Sequence, residues 1–319
     1  LGAAQVTRST NGGETWGKSV SLTRGGDPDY TLGPANVLQA GDRLYAAFMQ
    51  NAAPDQRGNP ASTLAPVVWR AQQGTNLADA RSWQRSEPSL PFRRLVPEEA
   101  LDQSGIPFFP VPKANQGAQV DKRRWAFRTG WQDTHVVQIQ DPNHEWHDPD
   151  GCTMHLLSTA HTHRTGLAIL SRVVEEPDGK LRVSLQKTPA GTNWVFLPVP
   201  GGHQPFALIH DEPSRRFWLV SAQSTDSLTR PQRLGKGRRG LPCEETHRWQ
   251  LSFSRNLVDW CFAGSLLADH PDAARFGQPT AAVHGTDLHV AMRRQTWGKQ
   301  QRTDEIICGC IPDLLELVY

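Results

Sequence analysis

The sequence predicts an all-β chain built as a β-propeller, and three features carry that expectation. Short apolar runs are interrupted at close intervals by the 27 glycines and 24 prolines, so no stretch sustains a helical period. Segments of strand, polar turn and closing tryptophan recur along the chain. Between them recur strand–turn–strand segments at a spacing of roughly 75 to 90 residues, which suits a four-stranded blade with long loops.

The tryptophan-closed copies are residues 3–16 (AAQVTRSTNGGETW), 67–83 (VVWRAQQGTNLADARSW) and 249–260 (WQLSFSRNLVDW). The second element appears at residues 34–48, 205–220 and 279–292, with a weaker copy at 118–129. Together they place one propeller domain over residues 1–319: a partial blade at 1–26, then blades at about 27–110, 111–200, 201–272 and 273–319. A six-bladed ring with an incomplete N-terminal part is expected, with five blades as the alternative. Residues 9–16 should then form an outer hairpin, its inner strands missing or supplied by residues 306–319. Trp16, Trp83 and Trp260 should be buried at equivalent places. Hydrophobic residues make up 37% of the chain, lean but enough for a core divided among many short strands.

A formal net charge of +2 with interspersed signs gives no reason to expect nucleic acid as a partner. The basic run at residues 233–239 has no interleaved aromatic residues for base stacking and reads as a solvated loop. No apolar run is long enough for a membrane span. The five cysteines (Cys152, Cys243, Cys261, Cys308 and Cys310) are odd in number and widely spaced, which argues against a disulfide framework. Cys308 and Cys310 share one face of an expected strand and read as a buried pair of free thiols. No cofactor is expected, and a monomer is.

The first tryptophan-closed copy, Ser9-Thr10-Asn11-Gly12-Gly13-Glu14-Thr15-Trp16, resembles the Asp-box of sialidase-like propellers, S-x-D-x-G-x-T-W, with Asn11 at the Asp position. Asn11 can accept backbone N–H groups of the turn, and Gly12 and Gly13 tolerate positive φ. The resemblance implies a sialidase-like fold, an exo-sialidase-type activity on an acidic glycan, and a secreted or periplasmic location. The motif occurs in non-catalytic propellers too, so it speaks for the fold.

Chemistry is expected in residues 141–164 (DPNHEWHDPDGCTMHLLSTAHTHR), which hold five of the 12 histidines. Three readings stay open. The segment is a polar surface loop bonded to itself. It holds a glycosidase acid/base, Asp148 or Glu145, with His147 tuning the pKa. Or it binds a divalent metal through some of His144, His147, His161 and His163; no metal is assigned.

The sialidase resemblance implies arginines on a substrate carboxylate, for which a guanidinium fork suits the geometry. Arg128, Arg293 and Arg294 end expected inner strands and are the arginines placed at a rim. Trp131 or Trp146 would stack on sugar, and His163 joins the binding set. His147, Asp148 and His161 should face one concavity that Arg128 or Arg293 reaches. The chain departs from the family pattern in three places. It has no Arg-Ile-Pro segment. Leu185-Gln186 stands where an arginine is expected after the turn in residues 173–182. Tyr45 sits in an apolar strand, leaving Tyr30 as the better nucleophile candidate. Hydrolysis of an acidic glycan is the leading expectation. A uronate-directed propeller lyase and a non-catalytic carbohydrate-binding scaffold are the alternatives.

Overall fold

Period-2 patterning and frequent turn residues produce antiparallel sheets in chain order, with a single α-helical turn among the described residues. The structure is a computed structural model that describes residues 4–23, 30–32, 36–51, 63–87, 89–96, 130–161, 165–225, 233, 245–269, 274–297 and 302–319.

The hairpin β1 (Gln5–Val6) and β2 (Val20–Ser21) forms a sheet of its own. In the next sheet β3 (Tyr30–Leu32) and β4 (Val37–Ala40) both pair with β5 (Arg43–Asn51), followed by β6 (Leu64–Gln72) and β7 (Trp83–Arg85). The helical turn α1 (Phe92–Leu95) comes after it. The third sheet runs through β8 (Gly130–Val137), β9 (Thr153–His161), β10 (Leu167–Glu175), β11 (Leu181–Lys187) and β12 (Asn193–Trp194), with β13 (Phe196–Pro198) paired to β10. The fourth contains β14 (Ala207–Asp211), β15 (Arg216–Ala222), β16 (Arg248–Ser254) and β17 (Cys261–Ala268). The last has β18 (Ala274–His284), β19 (Asp287–Trp297) and β20 (Arg302–Ile311). Four of these sheets have the sequential meander order of a propeller blade. Six blades, or five, are the expectation from sequence; the described residues contain four such sheets.

The chain divides into two compact units. In the first (Leu1–Pro97, Gly130–Leu157, Leu170–Asn193), Tyr45, Ala47 and Val68 pack against Val136, Met154, Leu156, Val173 and Leu181. β5 (RLYAAFMQN) is buried along most of its length, which explains its unbroken apolar run. In the second (Glu98–Thr129, Ser158–Ile169, Trp194–Tyr319), Trp218, Trp249, Leu251 and Phe253 pack against Phe276, Leu288 and Met292. Burying each such aliphatic or phenyl side chain contributes roughly 1.5–3 kcal/mol.

The strand–turn–strand copies at 34–48, 205–220 and 279–292 correspond to β4–β5, β14–β15 and β18–β19. The weaker copy at 118–129 lies outside the described residues. The second and third tryptophan-closed copies occupy one topological place, the turn from third to outermost strand, β6 to β7 and β16 to β17. Their closing indoles make matching bonds: Trp83 Nε1 donates to the Leu77 carbonyl at 2.9 Å and Trp260 Nε1 to that of Leu257 at 3.0 Å. Both tryptophans are half-buried. Trp16 departs from the expectation: it is 63% exposed, on a hairpin that has no further strand among the described residues.

Two further corrections concern the C-terminal strands. β20 pairs with its sequence neighbour β19 and is not joined to the β1–β2 hairpin, which forms a separate sheet. Cys308 and Cys310 do share one face, but that face is exposed, so they are not buried thiols. Cys152 and Cys261 are half-buried and free, and Cys243 lies outside the described residues.

Candidate functional site

An antiparallel meander sends alternate connections to opposite ends of its sheet. In the third sheet the β8–β9 connection, residues 138–152, and the β10–β11 turn lie at one end, joined by Glu175 N–H to the Cys152 carbonyl at 2.9 Å. The β9–β10 connection lies at the other. His147 and Asp148 therefore lie in the connection that precedes β9, while His161 is the last residue of that strand.

The histidine-rich loop is bonded mainly to itself. Asp141 Oδ1 accepts from Asn143 N–H at 2.9 Å, and His144 Nδ1 accepts from Trp146 N–H at 2.9 Å. His147 Nδ1 lies 3.0 Å from the Ile139 carbonyl. Burial works to raise the Asp148 carboxyl, but bonds from the Thr153 side chain and from the N–H groups of Asp150, Thr153 and Cys152 hold it below the usual carboxylate range. Trp146 is buried and stacks on His155, ring centroids 5.5 Å apart, with His144 tilted against it at 5.2 Å. Burial, then the nearby His144, pushes His155 down to about 4, so it stays neutral. Glu145 is exposed. This arrangement orders a loop, and the faces of Trp146 are taken up by histidines.

Trp131 is also fully buried, its indole donating to the Leu64 carbonyl at 2.7 Å and meeting Phe92 edge-on at 5.3 Å. Arg293 pairs with Asp304 at 2.8 Å; Arg294 pairs with Glu305 at 2.8 Å and with Asp269 at 3.8 Å. Arg128 and His163 lie outside the described residues, as does the side chain of His161. Tyr45 is a core residue, as the apolar strand implies, and its hydroxyl lies 3.3 Å from Glu175 Oε2. Glu175 is also ion-paired with Arg43 and Arg70 and so ties β10 to β5 and β6.

A carboxyl that burial alters strongly is one the sequence did not single out, Asp133 in β8. Burial raises it from 3.8 to about 6, and no counter-charge among the described residues contributes. Its backbone is left-handed, φ 42°, a conformation Asp tolerates better than most residues but which is unusual inside a strand. Its surroundings follow from its neighbours: Trp131 bonds the first residue of β6, and Thr134 Oγ1 lies 2.9 Å from the Met49 sulfur near the end of β5. Buried polar side chains gather at those strand ends, namely Gln50, Thr63 and Thr134. A sequence signal existed: one charged residue within the strand GWQDTHVV.

The second unit has its own buried polar group where β15 ends and β16 begins. Glu245 is 1% exposed and accepts from Thr225 N–H at 2.9 Å and Thr225 Oγ1 at 2.6 Å, with His247 Nε2 at 3.5 Å. The two Thr225 donors, one to each oxygen, fix the carboxylate's orientation. His203, Ser221 and Gln250 are buried too. The turn before β14 approaches closely: a Cβ on Gly202 would stand 2.6 Å from the Leu167 carbonyl oxygen, and Gly201 holds φ 70°.

No protein-family model and no curated protein matches the sequence. Solved structures do resemble it. One is a bifunctional GH43-CE protein of Bacteroides eggerthii, at 9% identity and TM-score 0.40, over 88% of this chain and 26% of that one. A second is a GH43_1 enzyme from Xanthomonas citri, at 11% identity and TM-score 0.41, over 87% and 73%. A third is a family 117 glycoside hydrolase produced by Zobellia galactanivorans, at 10% identity and TM-score 0.44, over 98% and 70%. Likenesses this distant assign no residue role and no activity to this chain.

Proposed function

We propose that the chain is a glycoside hydrolase in which Asp133 is the general acid. One observation carries the reading: a desolvated carboxyl on the first strand of a sheet, pushed up to about 6 with no partner charge among the described residues. Glycosidic cleavage needs an acid that still holds its proton near neutral pH, together with a second carboxylate that stays ionised.

The test is a panel of neutral and acidic aryl glycosides, a sialoside among them. Hydrolysis of at least one member is expected, with kcat/KM falling above an apparent pKa near 6 as Asp133 loses its proton. Asp133→Asn should remove that alkaline limb and lower turnover roughly 10²–10⁴-fold on poor leaving groups. Substrates whose leaving group needs no protonation should suffer far less. Full activity in Asp133→Asn would remove the assignment. Loss in Asp148→Asn alone would move the chemistry to the loop at 138–152. Cleavage of the sialoside alone would support the acidic-glycan, sialidase-type reading, and sugar binding with no turnover the scaffold one.

A further inference from the structure

The last sheet carries a group of side chains outside the chemistry proposed above. Residues opposite one another in adjacent antiparallel strands point to the same face. His284 is paired with Asp287 and His289 with Cys310, and Asp287 and His289 are two apart on β19. One face of β18–β20 therefore presents His284, Asp287, His289 and Cys310 together. The candidate ligand atoms of Asp287, His289 and Cys310 all lie within 4.8 Å of one another. His284 and His289 have ring centroids 6.3 Å apart.

We propose that Asp287, His289 and Cys310 bind a zinc-class divalent cation, with His284 or water as the fourth ligand. One thiolate sulfur, one imidazole nitrogen and one carboxylate oxygen make a borderline-soft set that suits zinc better than magnesium or calcium. Tetrahedral bonding at ~2.0–2.3 Å brings ligand atoms to about 3.3–3.7 Å from one another. Side-chain rotation is enough to close the difference, since His289 and Cys310 are exposed and Asp287 is half-buried.

The carboxylate is already oriented. Asp287 Oδ1 accepts from Asp313 N–H at 3.1 Å and from Thr286 Oγ1 at 3.2 Å, while Oδ2 lies 3.9 Å from Cys310 Sγ. Outer donors of this kind hold a metal-binding carboxylate in place. The Cys310 thiol proton passes to solvent as the metal binds, so affinity rises with pH. The ion would pin β20, the outermost described strand of its sheet, to β19.

Titration of the full chain with cobalt(II), followed by zinc(II), tests the site. One equivalent of cobalt should produce a thiolate-to-cobalt charge-transfer band and tetrahedral visible bands, which zinc then abolishes. Cys310→Ser should remove the charge-transfer band, whereas Cys308→Ser, on the same strand face, should keep it. His289→Ala should weaken binding by more than the roughly 10- to 100-fold typical of outer-shell changes. Absence of the band in the parent chain, or its survival in Cys310→Ser, would overturn the proposal.

Discussion

A desolvated carboxyl prefers its proton, and for Asp133 that preference has a definite sign. Its pKa is about 6 in the fold against 3.8 for the free side chain. Below pH 3.8 both states are protonated and nothing is lost; as pH rises toward 6 the fold pays for ionisation, up to about 3 kcal/mol. Asp133→Asn keeps a residue that tolerates φ 42° but cannot ionise. Its melting temperature should match the parent at pH 3.5 and exceed it at pH 8. Equal melting at both pH values would mean that the carboxyl is solvated.

Each tryptophan-closed turn shows how local bonding makes an element. Ser254 Oγ accepts from Asn256 N–H at 3.1 Å and Leu257 N–H at 2.9 Å; Asn256 Oδ1 accepts from Val258 at 2.9 Å and Asp259 at 2.8 Å. The first copy is built alike, with Ser9 Oγ accepting from Gly13 N–H at 2.8 Å and Asn11 Oδ1 from Thr15 N–H at 3.0 Å. The difference lies in what the turn supports. Leu257 follows Asn256, is fully buried and holds φ 63°, so Asn256→Ala should cost about 1–2 kcal/mol in urea denaturation. Asn11→Ala should change global stability little, because residues 11–19 of its turn are all exposed. Gly202→Ala should unfold the chain or lower its melting temperature more than either, since the added Cβ meets backbone.

Across the described residues, proton linkage combines groups of opposite sign. His135 and His155 are buried and held at about 3 and 4, so between pH 4 and 6 the unfolded chain binds two protons that the fold excludes. In the same range Asp133 binds one that the unfolded chain does not. For these three groups taken alone the balance is close to one proton, a contribution that lowers stability on acidification by about 1.4 kcal/mol per pH unit. Removing the Asp133 contribution should steepen the dependence toward two protons. Urea midpoints of the parent and Asp133→Asn at pH 6, 5 and 4 check both slopes, and a parent midpoint flat over that range would show that the histidines can charge in place.

The sequence by itself determined that the protein is built of short antiparallel strands in repeated units, and it located the turns between them. Those features come from interactions within about ten residues, such as Ser254 and Asn256 closing a turn ahead of Trp260, and local pattern records them. The stretch at 141–164 stood out in composition, yet composition could not say that β9 separates His147 from His161, or that Trp146 is covered by histidines. Only the tertiary structure decided which polar residues are chemically altered. The pKa of Asp133 depends on burial beside strands more than 60 residues away in the chain, marked by the 67-residue reach of the Trp131–Leu64 bond. The meeting of Asp287 and His289 with Cys310 depends likewise on the register of β19 with β20. Desolvation and cross-strand proximity are properties of neighbours in space, and the linear order of residues does not encode them locally.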